Sequence, residues 1–235
     1  MKIEGPLIQG KFVERPNRFI TMVEVDGKIV RSHLPDPGRL KELLLPGAKL
    51  LLRPAPEGSE RKTKYSTVML YHEGQLISLV SVLPNRFVLE ALQDNLLPMF
   101  HNYGFVRSEV SHGNHRFDFL LKGQNENPFY LEVKSVTYVE NGLAKFPDAV
   151  TERGRRHVKH LANLRKKDLD VMILFVVQRP DVECFQPEWE RDPKFGFALV
   201  KAQQNGLEVR VIHLKMTKTE LQYLGELPAK LNPES

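Results

Sequence analysis

The sequence predicts an α+β protein of two domains, a small β-barrel over residues 1–82 followed by an α/β domain over residues 83–235. Three observations carry this. Short strand-like runs separated by turn residues fill the first 82 positions. The pattern changes to helical spacing at LPNRFVLEALQ. An acidic, lysine-bearing strand pair, RFDFLLKGQNENPFYLEVKSV at residues 116–136, then lies between two helical stretches. With 235 residues and 41% hydrophobic content, the chain is long enough to bury the core of two modest domains or one large one.

In the first domain LIQGKFVE, RFITMVEV, KIVRSHL, AKLLLRP, STVMLYH and QLISLVSV read as strands, with Asp26-Gly27 and Glu73-Gly74 where hairpins must turn. Five or so strands in this length, with a short helical piece near RLKELLL, match a small barrel such as an OB-fold; a sandwich fragment is the alternative. In the second domain Pro84 serves as an early helical residue, and Phe87, Val88, Ala91, Leu92 and Leu96 recur at helical spacing. A second helix is expected over AVTERGRRHVKHLANLRKK, with Val150, Gly154, Val158 and Leu161 on its packed face. The run LDVMILFVVQ is nearly continuous in apolar character, as a strand covered on both faces would be, and LEVRVIHLKM reads as a further strand. The stretch around Trp189 reads as a polar loop, and the tail from Pro228 as loosely held.

Composition narrows the function classes. Lys and Arg number 34 against 29 Asp and Glu, a net charge of +5 that matters for partners only where it is clustered. Cys184 is the single cysteine, so no intrachain disulfide forms, which fits a reducing compartment. The start MKIEGPLIQG lacks the basic and apolar regions of a signal peptide, and no apolar run approaches the roughly 18 residues of a membrane span. The expected location is cytoplasmic, with no membrane partner. No Gly-Lys-Ser/Thr ending follows the glycine at Gly58, so there is no Walker A loop. His112 with His115, and His157 with His160, bring no third ligand at the usual spacing and do not indicate zinc.

The strand pair carries the chemistry. Alternation places Arg116, Asp118 and Leu120 on one face and Phe117, Phe119 and Leu121 on the other; Tyr130, Glu132 and Lys134 share a face of the next strand. Pairing Leu121 with Phe129 across the loop KGQNENP sets Asp118 opposite Glu132 and Arg116 opposite Lys134. The two carboxylate-bearing Cβ atoms would then stand about 4.5 to 5.5 Å apart. Opposed like charges destabilise a sheet, and a hard divalent cation compensates them. Mg²⁺ or Mn²⁺ is the natural candidate, with Lys134 orienting water or neutralising a developing oxyanion. The competing reading is a solvated sheet face whose charges form weak cross-strand ion pairs.

An Asp followed by Glu-x-Lys on the next strand, between two helices, resembles the core of the PD-(D/E)xK nuclease superfamily. The blocks GKFVERPNRFITMVEVDGKIV, GRLKELLLPGAKLLLR, RKTKYSTV, LPNRFVLEAL, RFDFLL, LEVKSVT and KFPDAVTERGRRHVKHL together resemble the sugar fermentation stimulation protein family, SfsA, from about Leu7 to Leu214. That resemblance implies an N-terminal OB-like barrel, a PD-(D/E)xK restriction-endonuclease-like second domain, DNA binding and a link to sugar (maltose) metabolism. It also implies Asp118, Glu132 and Lys134 as a nuclease-type triad, Asp118 and Glu132 as metal ligands, and Glu90 as a fourth catalytic contributor. Phe117 stands where the superfamily name has proline, and PDPGRL where the family pattern is closer to PNTGRM.

A nucleic-acid ligand requires cations beside the triad. The stretch ERGRRHVKHLANLRKK offers Arg153, Arg155, Arg156 and Lys159, which could contact phosphates without reading sequence. Gly154 within this helix implies a close approach by a backbone or ligand, or else a helix that starts there. In the barrel Arg61, Lys62 and Lys64 on a loop, and Arg15 and Arg18 beside Phe19, combine cations with aromatics as single-strand-binding barrels do. The expected function is DNA binding largely insensitive to sequence. The alternative is an active Mg²⁺-dependent endonuclease, and a homodimer is compatible with either. No helix-turn-helix is evident, which disfavours operator readout of that kind.

Overall fold

The computed structural model describes residues 1–113, 115–123 and 126–233. Part of the KGQNENP loop (124 and 125) and the last two tail positions therefore lie outside the described residues. In the first domain β1 (Ile8–Asn17), β2 (Ile20–Val25), β3 (Lys28–His33), β4 (Lys49–Pro54) and β5 (Tyr65–His72) form a five-stranded barrel. It closes where β3 meets β5 in parallel through Ser32–Tyr65 and His33–Ser66. Strand order 1-2-3-5-4-1 makes it an OB barrel. Asp26 and Gly27 (φ +48° and +74°) and Glu73 and Gly74 (φ +48° and +79°) turn the two expected hairpins with two successive left-handed residues, which match strand twist. The RLKELLL stretch is not a helix but one hydrogen-bonded turn after Leu40 (φ +50°). So short a segment ahead of Pro46 cannot repay helix nucleation, and it instead plugs the barrel with Leu40, Leu43 and Leu44.

Next come β6 (Gln75–Ser78), α1 (Leu83–Gln93), β7 (Gly104–His112), β8 (His115–Lys122), β9 (Pro128–Val136), β10 (Val139–Glu140) and β11 (Leu143–Phe146). They are followed by α2 (Glu152–Arg165), β12 (Asp170–Val177), β13 (Cys184–Pro187), α3 (Pro193–Gln204), β14 (Glu208–Met216) and β15 (Leu221–Glu226). Strand β6 bridges the domains, pairing with β5 and, through Leu76–Met216, with β14. The sheet then runs β14-β12-β9-β8-β7, with β9, β12 and β14 parallel. As its sequence predicts, β12 is covered on both sides. Met172, Leu174 and Val176 pack with Phe87, Val88 and Leu92 of α1, while Ile173, Phe175 and Val177 pack with Val158, Leu161 and Phe195 of α2 and α3. No helix of the described residues is long and apolar enough to cross a membrane.

Several local expectations are corrected. Helix α1 stops at Gln93 and Asn95 takes φ +52°, so Leu96 is 45% exposed rather than on the packed face. Val150 precedes the N-cap Thr151 and is 63% exposed. Gly154 does not start the helix, which begins at Glu152; it is buried, and a Cβ there would lie 2.7 Å from Thr151 Cγ2 and 3.3 Å from the Phe195 ring. Trp189 lies, as expected, in the turn between β13 and α3, but it is half-buried there against Gly196, where a Cβ would come within 2.5 Å of the indole. The tail is held as well: Phe185 N donates to Pro228 O at 2.9 Å, Lys230 N to Phe185 O at 2.8 Å, and Leu231 is buried.

Candidate metal and nucleic-acid site

At the loop end the β8–β9 register is the predicted one, with Leu121 opposite Phe129 and Phe119 opposite Leu131. One step further the ladder gives way. Asp118 Oδ2 accepts a hydrogen bond from Val133 N at 2.7 Å, a carboxylate taking the place of a strand carbonyl. Phe117 and Phe119, expected on one face, belong to opposite core clusters. Across from this twist, between the Ser108–Phe119 and Val110–Phe117 pairs of β7 and β8, Glu109 adopts φ +55°. The Arg116–Lys134 apposition does not form; Arg116 pairs with Glu109 at 3.2 Å instead.

Where the strands part, Asp118, Glu132 and Lys134 come together. Glu132 is 3% exposed, and its Oε1 accepts from Lys134 Nζ and from His157 Nδ1, the latter at 2.5 Å. Its Oε2 is buried with no hydrogen-bond partner among the described residues. Asp118 Oδ1 accepts from Asn85 Nδ2 at 2.6 Å. Burial, and then the neighbouring Glu132 charge, push the Asp118 carboxyl up to about 6. Burial also opposes ionisation of Glu132, but His157 and Lys134 outweigh it and hold this carboxyl below its ordinary value. Two neighbouring carboxyls thus titrate apart. The donor set suits a hard, oxygen-seeking cation: one buried carboxylate oxygen lacks a partner, and a second carboxyl stands beside it at a raised pKa.

Glu90 does not join them. It lies about 140° round α1 from Asn85 at roughly 100° per residue, and it pairs with the Met1 amino group at 3.2 Å. The α1 residue that reaches the site is an amide, Asn85, which a search for acids overlooks. His157 enters the sequence reading only as half of a His157–His160 zinc pair, and nothing local ties it to Glu132, 25 residues away. Both histidine pairs converge here: the His115 and His160 rings stack at 3.7 Å, and His112 and His157 each lie 6.0 Å from one of them. Among the described residues no three histidine, cysteine or acidic side chains are arranged to hold a metal ion.

The cations divide into exposed and engaged. Arg153, Arg156 and Lys159 are exposed on α2, and Arg153, four residues before His157, shares its stripe of the helix. Arg155 is not available to phosphate: its guanidinium donates to Asp192 Oδ1 at 3.1 Å and its side chain is 19% exposed. In the barrel Lys62 and Lys64 are exposed, as is Arg61, which donates to Ser66 Oγ at 3.0 Å. Arg18 sits over Phe19, 5.7 Å from the ring centre. Arg15 instead binds the carbonyls of Arg18, Asp36, Gly38 and Arg39, fixing the PDPGRL loop, while Asp148 Oδ2 accepts from Arg39 N at 2.9 Å across the domain junction. Asp36 Oδ1 accepts from Gly38 N at 2.8 Å, a role the asparagine of PNTGRM could equally fill.

The fold and site together define a two-domain protein that joins an OB barrel to a restriction-endonuclease-like α/β domain. Residues 13–79 match the family model for the SfsA N-terminal OB domain, and residues 82–220 match that for the sugar fermentation stimulation protein RE domain. The chain belongs to the sugar fermentation stimulation protein (SfsA) family. It is 41% identical over 231 residues to the sugar fermentation stimulation protein homolog of Natranaerobius thermophilus, covering 97% of this chain and 96% of that one. The homolog of Caldanaerobacter subterraneus subsp. tengcongensis is 43% identical over 209 residues, 89% and 90% of the two chains. A solved structure of Pyrococcus furiosus SfsA in complex with Ca²⁺ superposes with a TM-score of 0.88 at 29% identity, covering 98% of each chain.

Proposed function

We propose that this chain binds DNA largely without regard to sequence and that Asp118, Glu132 and Lys134 form a divalent-cation-dependent centre for hydrolysing phosphodiesters. The observation that carries the reading is the buried, partnerless Glu132 Oε2 beside Asp118. A carboxylate oxygen kept from water without a partner costs about 1–3 kcal/mol or more, an expense that a bound cation removes. The Ca²⁺ held by the Pyrococcus furiosus relative, a hard ion of the same ligand preference, supports a cation in this chain.

Asp118 and Glu132 would hold Mg²⁺ or Mn²⁺, which when bound lowers the pKa of water and offsets phosphate charge. Asn85 and the Val133 N–H fix the plane of the Asp118 carboxyl. Lys134, partly exposed at 16%, is the ammonium that can orient the attacking water or meet the developing oxyanion. Arg153, Arg156 and Lys159 on α2 supply phosphate contacts alongside. Barrel cations Arg18, Arg61, Lys62 and Lys64 extend that surface, with Phe19, 49% exposed, as a stacking ring.

Gel-shift titrations over a salt series test the binding half. Each of Arg153→Ala and Arg156→Ala should reduce the slope of log K against log salt by roughly 1, whereas Arg155→Ala should leave the slope unchanged and lower stability. Binding that ignores salt would contradict this reading. A second reading, DNA occupancy without cleavage that affects sugar metabolism through gene regulation, is favoured by the Lys134–Glu132 ion pair, which engages the ammonium in the absence of substrate. Strong preference for one duplex over unrelated ones would support it.

A further inference from the structure

The two oxygens of Glu132 are treated unequally. Lys134 and His157 both donate to Oε1, and Oε2 has no partner among the described residues. An ionised carboxylate only accepts, so Nδ1 of His157 carries the hydrogen that lies between them. His157 comes from α2, 25 residues further along the chain, with its side chain 12% exposed. The His115 ring meets it edge-on at 80° and 6.0 Å, and His115 itself stacks on His160. The start of α2 is clamped by the Thr151 cap and by Asp192.

We propose that His157 is a positioning residue of the cation site: its Nδ1–H holds Glu132 with Oε2 turned toward the cation, leaving Lys134 free to move to the scissile phosphate. This rests on the reading of Asp118 and Glu132 as cation ligands. The two donors on Oε1 differ in what they can do. Lys134 ends a flexible four-carbon stem, and an ammonium bonded to Oε1 is withheld from substrate. His157 is a planar ring packed on its neighbours, with no reach beyond Glu132. If lysine were the sole donor, its departure toward substrate would leave Glu132 free to rotate just as the cation needs it fixed. With His157 present, orientation and catalysis fall to different residues.

The test is calorimetric titration of Mn²⁺ into chelator-stripped protein, with DNA cleavage measured in parallel. In a Lys134→Ala background, where no lysine can take over Oε1, His157→Ala should weaken Mn²⁺ binding by about 10- to 100-fold, the usual effect of losing a hydrogen bond to a metal ligand. His157→Asn, whose amide N–H falls near the position of Nδ1–H, should restore most of it; His157→Gln, which reaches past that position, should not. This contrast remains informative even if the alanine variant folds poorly. Lys134→Ala should bind Mn²⁺ nearly as the parent does yet fail to cleave. The His157→Ala, Lys134→Ala double variant binding Mn²⁺ as tightly as Lys134→Ala alone, while Glu132→Gln abolishes binding, would overturn the role of His157 and leave the cation site intact. A parent protein that binds no Mn²⁺ would overturn the cation site, and this inference with it.

Discussion

Asp118→Asn should stabilise the ion-free protein at pH 8. The folded-state pKa of Asp118 is raised to about 6 from 3.8, chiefly by burial. Between those values the folded chain keeps a proton that the unfolded chain has released, so stability falls as pH rises from about 4 to 6 and stays lower above. At about 1.4 kcal/mol per pH unit the full penalty is about 3 kcal/mol. The asparagine carries no charge, and its Oδ1 still accepts from Val133 N, while Asn85 turns its amide to present oxygen. A net gain of about 1–2 kcal/mol is expected, or several degrees in Tm at this chain length. Urea or thermal unfolding in chelator at pH 8 and pH 4 checks it; the gain should be present at the higher pH and absent at the lower. Added Mn²⁺ should reverse the order, because only the parent gains from binding. Equal stability of parent and variant at pH 8 would mean that the carboxyl is better solvated than the geometry indicates.

The second large effect is structural. Asp192 is 2% exposed and serves three donors: Phe195 N at 3.0 Å as the N-cap of α3, Arg155 at 3.1 Å, and Thr151 N at 2.8 Å. It therefore ties the start of α3 to the start of α2. Removing it by Asp192→Ala loses a cap, worth about 1 kcal/mol, and leaves a largely buried guanidinium with only the exposed Glu152, 3.9 Å away. Breaking such a pair costs about 3–5 kcal/mol, while Asp192→Asn, which keeps the acceptor, should cost about half. The shift of the urea midpoint measures both. Because α2 carries His157, Asp192→Ala should also weaken cation binding, whereas Arg156→Ala on the exposed side should not.

The grouping of Asp118, Glu132 and Lys134 was legible in the sequence because one β-hairpin contains all three, and a two-residue period with a short loop limits which side chains can meet. Register was correct as far as Phe119–Leu131. Beyond that point it failed for a physical reason: Asp118 takes a backbone donor for itself, and the chain twists opposite the left-handed Glu109, which no alternation rule anticipates. The OB barrel was legible from its turns: Asp26-Gly27 is a pair that favours left-handed backbone, and in Glu73-Gly74 the glycine marks the turn although Glu73 also takes φ +48°. Partners brought in by tertiary packing were not. Asn85 and His157 lie 33 residues before and 25 residues after the acids they bind, and nothing in their own neighbourhoods ties them to those acids. Arg155 illustrates the converse limit: among the cations of α2 it is indistinguishable in sequence from Arg153 and Arg156, yet only the fold shows that Asp192 engages it.

The most direct test of the central claim is cleavage of single- and double-stranded DNA by the purified chain with Mg²⁺ or Mn²⁺, beside Glu132→Ala and Lys134→Ala. Cation-dependent cleavage that both substitutions reduce by at least about 100-fold is the predicted result. Intact DNA with a parent protein that binds both the cation and DNA, or cleavage that survives Glu132→Ala, would contradict it.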